Sequence, residues 1–433
     1  MTNGTSFARL PGFRDFLPED FALRSHIFEA WRRVSRRYGF LEYDGPPLEP
    51  LELYTEKSGA EIVEQLYNFT DKGDREVALR PEMTPSLARI LGARSRSMPK
   101  PIRWFCIPQL FRYERQQRGR LREHFQWNVD VVGEDGVGAD AEVLAVAVDG
   151  LRELGLGEMD FRARLSDRRL LSAVLREIGV PDDRLVPVYS AVDKLEREGR
   201  ERTGEKLVEE AGVSEDDARE VLALFAVPGL EGVIDRFGDA EPVARAADRI
   251  QELLEILDRL GVGDFVAFDL TIVRGLAYYT GIVFELFDAR GELRAICGGG
   301  RYDRLLEWAG GESLPAVGFG MGDVVLSELL EERGLVPESD PSVDLFVVAI
   351  TPDERPLALD VARAQRERGR SVVYALSGQS VRKQFSQAAS AGAREVVVLG
   401  PDEVSREVAV IREMESGEER EVALRSLLDG ERP

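Results

Sequence analysis

Ten basic residues and one acid lie within a short stretch of the chain, where they could together bind an anionic ligand. The acid is Glu114, and the basic residues are Arg89, Arg94, Arg96, Lys100, Arg103, Arg112, Arg115, Arg118, Arg120 and Arg122. The last five lie in or beside one charged loop. The rigid fork of arginine suits phosphate oxygens, so this cluster indicates a phosphate site. A solvated arginine-rich face, paired with acids elsewhere, would explain the same charges.

Glu82 and Thr84 form a second candidate group, within the turn-like sequence of residues 79–85. A carboxylate and a hydroxyl two residues apart on an extended turn face the same side. Together they could hold an ammonium group. A helix that begins at the Thr-Pro pair would explain the same residues equally well.

Two further segments combine glycine with arginine and tyrosine. Residues 273–281 contain the adjacent tyrosines Tyr278 and Tyr279. Neighbours on a strand point to opposite faces, so at most one of them lines a given pocket. Residues 297–304 contain three successive glycines, but not the G-x-G-x-x-G spacing of a dinucleotide site. A tight glycine turn before a helix is the plain interpretation of that segment.

The composition limits the classes of protein to consider. A length of 433 residues predicts two to four domains, and the net charge of −22 disfavours indiscriminate binding to nucleic acid or anionic membranes. The chain has only two cysteines, Cys106 and Cys297, and two histidines, His26 and His124. We therefore expect neither a disulfide framework nor a zinc site. No run of 18 apolar residues occurs, so a cytoplasmic protein without a membrane partner is expected.

The elements that must position these residues follow from hydrophobic spacing. Apolar residues at helical spacing predict a helix that Asp20 caps and Gly39 ends. Apolar and polar residues alternate in residues 102–113 and 123–132, which predicts a pair of antiparallel strands. A helix is predicted after them at 138–154. Strand-like sequence returns at 265–270 and 282–286. The last helix of this part is predicted near 318–333.

Two stretches of the chain differ from this first part. Residues 167–262 are charged, favour helices and predict a helical insertion. After a linker at 334–342, strands alternate with helices, which is typical of a small α/β domain with a mostly parallel sheet. Residues 355–383 of that domain carry seven basic residues and two acids. Such a patch could contact RNA phosphates, although a solvated helix face explains the same charges.

The candidate segments together resemble the histidyl-tRNA synthetase family. Residues 111–120 resemble motif 2 of class II synthetases, while residues 274–281 and 299–303 resemble the histidine-specific signatures. The C-terminal segment is similar to the family's anticodon-binding domain. The resemblance spans nearly the whole chain, and three motifs occur in the family's order.

The resemblance implies an α+β fold with a class II synthetase-type antiparallel sheet and flanking helices. Residues 1–166 and 263–333 would form the catalytic domain, and residues 167–262 the helical insertion. After the linker at 334–342, residues 343–433 would form the anticodon-binding α/β domain.

It also implies an activity and the residues that perform it. The family joins L-histidine to ATP, giving histidyl-adenylate and pyrophosphate, and then transfers the histidyl group to the 3′ end of tRNA(His). Arg112 and Arg274 match the catalytic arginines at the α-phosphate and the reacting carboxylate. Arg112, Glu114 and Arg120 match ATP-binding positions. Mg²⁺ would accompany the ATP phosphates, and no zinc is expected.

A second set of positions matches the family's histidine pocket, to which Arg112 and Arg274 also belong. Glu82, Thr84 and Gln126 match residues that hold the α-ammonium group. Asp130 and Tyr279 match the pair that reads the imidazole, and Tyr278 and Tyr302 complete the wall. A carboxylate and a phenol can satisfy both ring nitrogens, so that isosteres lacking them are rejected.

The sequence departs from the family pattern at three positions. Asp130 stands where glutamate is usual, which shortens the reach by about 1.5 Å, one C–C bond. Ala277 replaces an aspartate, and Val325 stands where motif 3 has an arginine over the ATP. Arg301 or Arg304 would be the cation that compensates for Val325.

Two other functions fit parts of the pattern. The regulatory subunit of ATP phosphoribosyltransferase is synthetase-like and would explain the loss of the motif 3 arginine. That subunit generally lacks the anticodon-binding domain, and its histidine signatures are degraded. This chain has a segment similar to that domain and keeps the signatures. A pure RNA-binding module fits poorly with the net charge of −22.

Pro46 and Pro47 resemble the motif 1 proline at the family's dimer interface, so a homodimer is expected. The prolines alone would indicate only a kinked edge strand.

Overall fold

The chain forms two units, Met1–Pro337 and Glu338–Pro433, and each is described by itself below. The computed structural model describes residues 8–55, 63–115, 117–273, 279–308, 313–337 and 343–429. The boundary between the units lies within the predicted linker 334–342, of which residues 338–342 lie outside the described residues.

The described part of the first unit contains twelve strands. They are β1 (Leu41–Glu42), β2 (Leu48–Pro50), β3 (Tyr67–Thr70), β4 (Glu76–Leu79), β5 (Ile102–Cys106), β6 (Gln109–Phe111), β7 (Glu123–Val132), β8 (Phe161–Asp167), β9 (Val266–Phe268), β10 (Ile282–Asp288), β11 (Cys297–Arg301) and β12 (Ala316–Gly322). Nine of them form one large sheet, and β2, β4 and β3 form a separate small one.

The large sheet has the order β1-β5-β7-β12-β11-β10-β8-β9, and β6 also pairs with β7. Every neighbouring pair of strands from β5 to β8 in this order is antiparallel. The edge strands β1 and β9 pair in parallel. This arrangement confirms the expected α+β class with a central, largely antiparallel sheet.

Thirteen helices are described in the first unit. They are α1 (Pro18–Arg37), α2 (Glu52–Thr55), α3 (Thr84–Arg94), α4 (Val137–Arg152), α5 (Arg168–Ile178), α6 (Leu185–Val192), α7 (Leu195–Glu198), α8 (Arg200–Glu209), α9 (Glu215–Leu224), α10 (Gly229–Phe237), α11 (Glu241–Arg259), α12 (Leu305–Trp308) and α13 (Asp323–Arg333). Seven of these, α5 to α11, fall in the region predicted to be a helical insertion.

Helices α1 and α4 cover one face of the large sheet and form the main core with it. Trp31 of α1 stacks on Trp127 of β7 at 5.8 Å between ring centroids, and both side chains are fully buried. The Trp127 indole donates a hydrogen bond to the hydroxyl of Ser35 at 3.0 Å, which satisfies its polar atom. Gly150 of α4 lies against the same ring, where a Cβ would collide with it. The opposite face of the sheet is thereby left for other contacts.

Two sequence predictions for this unit were wrong in detail. Helix α1 begins at Pro18 with Leu17 before it, and Asp20 lies in the first turn instead of capping the helix. A proline at the first helical position needs no amide partner, so no side-chain cap is required. Residues 316–322 are strand β12 and not the start of the predicted helix, which begins only at Asp323. Glycine alternates there with larger residues, and a period of two is typical of a strand.

The second unit has a five-stranded sheet with helices on it. Its strands are β13 (Val343–Ala349), β14 (Val372–Tyr374), β15 (Ala393–Leu399), β16 (Val408–Glu413) and β17 (Glu419–Ala423), and its helices are α14 (Arg355–Glu367), α15 (Val381–Ser390), α16 (Pro401–Ser405) and α17 (Leu424–Leu428). The strand order is β14-β13-β15-β16-β17. The first three strands are parallel, as predicted, whereas β16 and β17 form an antiparallel hairpin. The prediction stopped at residue 399 and missed this hairpin.

Among the described residues, no helix is both long enough and apolar enough to cross a bilayer.

Candidate active site

Strand β7 carries the polar side chains of the site on one of its faces. Trp127 and Val129 point into the core, so the alternating residues Gln126, Asn128 and Asp130 face the other way. Gln126 and Asp130 were both predicted to bind histidine from family resemblance. The period of the strand places them two pleats apart on this face.

Glycines on the neighbouring strand β12 make room for these side chains. Gly318 is paired with Asp130 and Gly322 with Gln126, with Gly320 between them. A Cβ at Gly318 would collide with the Asp130 carboxylate and lie 2.6 Å from the carbonyl oxygen of Val129. A Cβ at Gly320 would collide with the Gln126 amide, lying 2.7 Å from its Cδ. Gly318, Gly320 and Gly322 therefore form an open surface, called the glycine floor below, over which the polar side chains of β7 project.

Asp130 is paired with a tyrosine from the end of β11. The hydroxyl of Tyr302 donates a hydrogen bond to its carboxylate, and both residues are buried. Burial raises the pKa of Asp130 from 3.8 to about 7, while the Tyr302 hydrogen bond acts in the opposite direction. The carboxyl group therefore titrates near neutral pH when no ligand is bound.

Tyr279 packs in the same apolar cluster as Tyr302. The guanidinium of Arg168, at the start of α5, donates to the backbone carbonyls of Tyr279 and Val273, each at 3.2 Å. Residues 274–278, which include the predicted Arg274 and Tyr278 and the departure Ala277, lie outside the described residues. Arg168 thus holds the two residues that border this segment.

The turn that contains Glu82 and Thr84 lies against the predicted motif 2 arginine. Arg112 Nε donates a hydrogen bond to the carbonyl oxygen of Pro81 at 2.9 Å. Glu82 is buried, and Thr84 begins helix α3. The Thr-Pro pair therefore starts a helix, as one interpretation of this pattern predicted. The ammonium-binding role of Glu82 and Thr84 stays a prediction.

The loop between β6 and β7 holds its arginines in different ways. Arg120 forms an ion pair with Glu114 at 2.5 Å, so the two predicted ATP-binding residues contact each other. Arg118 pairs instead with Glu328 at 3.2 Å and with Glu332, both on helix α13. The five loop arginines therefore do not all converge on one point, since Arg118 is used to tie the loop to α13.

A cavity of about 340 Å³ lies between this loop and the open face of the sheet. Arg112, Glu114, Arg120 and Gln126 line it, together with His124. Burial and the three surrounding arginines, Arg112 first, lower the pKa of His124 from 6.5 to about 3. The imidazole is therefore neutral near pH 7, and the cations of this cavity are all arginines.

Neither of the two arginines predicted to replace the motif 3 cation lies in this cavity. Arg301 is fully buried and donates to Asp140 at 2.6 Å and 3.0 Å. Arg304 lines a different and larger cavity of about 980 Å³, between α5 and α11. That prediction was wrong because a buried ion pair and a neighbouring cleft cannot be inferred from local sequence.

The cavity also contains two charged residues that sequence reasoning missed. Glu285, on strand β10, and Arg294, in the loop between β10 and β11, both line it. Glu285 lies four residues after the end of the tyrosine signature at Gly281 and could have been identified by its strand position. Arg294 had no signal in its own segment, because only the fold brings it to the cavity.

Comparison with known proteins decides the family. Residues 12–323 match the family model of histidyl-tRNA synthetases. The histidine–tRNA ligase of Opitutus terrae is 44% identical over 421 residues, which covers 96% of each chain. The chain belongs to the histidyl-tRNA synthetase family. A chloroplastic and mitochondrial histidine–tRNA ligase of Arabidopsis thaliana is 42% identical and covers 96% of this chain and 85% of its own.

The rest of the chain also matches the family pattern. Residues 344–430 match the model of the anticodon-binding domain. The crystal structure of the histidyl-tRNA synthetase from Nostoc superposes with a TM-score of 0.83 at 26% identity, covering 98% of both chains. The expected family and fold are confirmed. The regulatory-subunit alternative is not favoured, because relatives with more than 40% identity over nearly the full length are ligases.

Proposed function

We propose that this chain activates L-histidine with ATP to histidyl-adenylate and transfers the histidyl group to the 3′ end of tRNA(His). The family membership supports the overall reaction. The observation that carries the site assignment is the open face of β7. There, Gln126 lines the same cavity as the arginine loop, and Asp130 lies on the same strand face, so that a nucleotide in the cavity and an amino acid beside it could be held next to each other.

Histidine would lie on the glycine floor between the turn and β11. Glu82, Thr84 and Gln126 would hold its α-ammonium group, because they offer a carboxylate, a hydroxyl and an amide oxygen. Asp130 would accept a hydrogen bond from the imidazole, with Tyr279, Tyr302 and Tyr278 forming the wall. The Tyr302 hydrogen bond fixes the orientation of the Asp130 carboxylate, which supports this role.

ATP would occupy the arginine-lined cavity. Arg112 would contact both the α-phosphate and the histidine carboxylate, and Arg120 and Glu114 would contact the nucleotide. Glu114 and Glu285 are the carboxylates that line this cavity. One or two carboxylates together with phosphate oxygens suit Mg²⁺, so these residues fit the ion that accompanies ATP.

The chemistry needs alignment and charge stabilisation more than proton transfer. The nucleophile is the histidine carboxylate, which is already ionised at neutral pH. Arginines placed where charge develops on the α-phosphate stabilise the transition state. Arg112 and Arg274 would have this catalytic role. Burial lowers the pKa of His124 to about 3, which makes its imidazole a weak base and agrees with a reaction that needs no histidine base.

The domain roles and the assembly follow the same proposal. Residues 1–166 and 263–333 would form the catalytic domain, with residues 167–262 as an insertion. Beyond the linker at 334–342, residues 343–433 would read the anticodon.

A cytoplasmic homodimer is proposed, with motif 1 at the interface. Pro46 and Pro47 directly precede β2, and the small sheet of β2 to β4 exposes Leu48 and Phe69, which supports an interface at this sheet. Light scattering of the purified protein measures the mass: a dimer supports this assembly, and a monomer excludes it.

Histidine-dependent exchange of pyrophosphate into ATP tests the activity directly. We expect exchange with histidine and with no other amino acid. Arg274→Ala should abolish the exchange while histidine still binds, because the variant loses a cation at the reacting centre. Exchange that is absent from the wild-type protein, with histidine binding retained, would favour the regulatory alternative.

A further inference from the structure

Val325 leaves the ATP cavity without the motif 3 arginine, and a different arginine lies beside it. Val325 is in the first turn of α13 and lines the cavity. A Cβ placed on Gly119 would be 3.2 Å from Val325 Cγ2 and 3.5 Å from Arg294 Cδ. The two side chains therefore flank the same point of the motif 2 loop, although they come from different elements.

The backbone around Arg294 is fixed next to the start of α13. The amide of Ile296 donates to the carbonyl oxygen of Leu286 at 2.8 Å, and that of Gly322 donates to Ile296 at 3.3 Å. Gly322 immediately precedes helix α13. These bonds hold the end of the β10–β11 loop against the helix that carries Val325.

Arg294 has no hydrogen bond or ion pair among the described residues. Each of the nearby arginines has one, since Arg120 pairs with Glu114 at 2.5 Å and Arg118 with Glu328 at 3.2 Å. Burial and the neighbouring cation Arg120 lower the pKa of Arg294, whereas Glu114, which is already paired with Arg120, raises it. An anion between the two arginines would relieve their repulsion. A guanidinium that lines the cavity without a carboxylate partner is available to a phosphate group.

We propose that Arg294 supplies the nucleotide-binding cation that the family usually places at motif 3 and that Val325 lacks. This inference depends on the proposed function, because it assigns ATP to the arginine-lined cavity. Gly119 is part of the same device: its positive φ of 70° and missing side chain let the Arg294 stem pass over the loop. The cation would thus come from the β10–β11 loop instead of helix α13, and its charge would still lie at the cavity.

Arg294→Ala tests this inference, with Arg290→Ala as the matched control. Arg290 lies on the same loop and is exposed like Arg294, but it does not line the cavity. We expect Arg294→Ala to lower kcat/KM for ATP in pyrophosphate exchange by about 100-fold or more, as for loss of one charge-stabilising donor. Arg294→Lys should retain part of this activity, because it keeps the charge but not the fork. The melting temperature and the Kd for histidine should stay at the wild-type values.

A relocation of the charge provides the sharper test. Val325→Arg, introduced into the Arg294→Ala protein, restores the cation on the helix and should recover part of the lost kcat/KM for ATP. ATP parameters of Arg294→Ala within about twofold of those of Arg290→Ala would overturn the inference. So would equal losses of ATP and histidine binding, since these indicate a role in folding.

Calorimetric binding of ATP separates this inference from the proposed function. A wild-type protein that binds ATP through Arg294 but shows no histidine-dependent exchange would contradict only the function. Normal histidine-dependent pyrophosphate exchange by the Arg294→Ala variant would contradict only the role of Arg294.

Discussion

The hydroxyl of Tyr302 donates a hydrogen bond to the Asp130 carboxylate, although their strands are not neighbours in the sheet. Strand β12 separates β7 from β11, and its Gly318 leaves the space through which the two side chains meet. Family resemblance had paired Asp130 with Tyr279 for reading the imidazole. In the structure, the residue that orients the carboxylate is Tyr302.

Asp130 makes stability depend on pH in a defined direction. Burial raises its pKa from 3.8 to about 7, so its proton stabilises the folded state at low pH and that contribution is lost as pH rises to about 7. Besides Tyr302, which donates to it, the titratable side chains of Tyr43 and Cys106 lie close to Asp130, and burial raises the pKa of both well above neutral. Asp130→Asn removes the titration. The melting temperature of this variant, relative to wild type, should therefore be higher at pH 8 than at pH 5, and an equal difference at both values would contradict the raised pKa.

Gly320 keeps the space that Gln126 occupies. Gly320→Ala should displace the flexible Gln126 amide while the sheet stays folded, since the collision is with a side-chain end. Loss of a hydrogen bond to a charged ammonium costs about 1.5–3 kcal/mol, so the KM for histidine should rise by roughly 10- to 100-fold. Gly322→Ala is the matched control at saturating ATP, because a Cβ there meets nothing within 4 Å. Equal KM values for the two variants would exclude a role of Gln126 in binding.

Arg168 holds Val273 and Tyr279 with one guanidinium. Lysine cannot donate in the same geometry to both carbonyls, so Arg168→Lys leaves a buried acceptor without its partner. We expect a loss of about 1–3 kcal/mol in the free energy of unfolding, together with a raised KM for histidine. Arg176→Lys, on the exposed side of the same helix, keeps the charge and at most weakens a surface ion pair with Asp182, so it should cost less than about 1 kcal/mol. Urea unfolding compares the two, and equal losses would show that the carbonyl contacts of Arg168 contribute little.

The two units have separate cores, so they should be separable in function. A chain that ends at Pro337 keeps the whole arginine-lined cavity, whereas Leu345 and Val347 anchor a different core in the second unit. Deletion of residues 338–433 should therefore impair aminoacylation of tRNA(His) far more than pyrophosphate exchange. Parallel losses of both activities would show that the second unit is needed for the fold of the first.

Much of the site could be predicted from sequence, because the strands and motifs that carry it are local. Alternation in residues 123–132 correctly predicted a strand, and β7 places Gln126 and Asp130 on one face. The Thr-Pro pair correctly indicated a helix start at Thr84. The prediction of a helix for residues 316–322 was wrong, because it overlooked the alternation of glycine with larger residues, which has the period of a strand.

The amino-acid sequence alone determined the family and the α+β class, because these depend on motifs whose spacing is fixed along the chain. It also singled out Arg112, Glu114, Arg120 and Gln126, which line the cavity. Only the tertiary structure decided which arginines are free to bind an anionic ligand in the cavity. It buried Arg301 against Asp140, tied Arg118 to α13 and brought Arg294 beside Val325. The physical reason is that a charge is neutralised by whatever lies within a few ångströms of it. In a sheet whose neighbouring strands are distant in sequence, those contacts are set by pairing and not by local pattern.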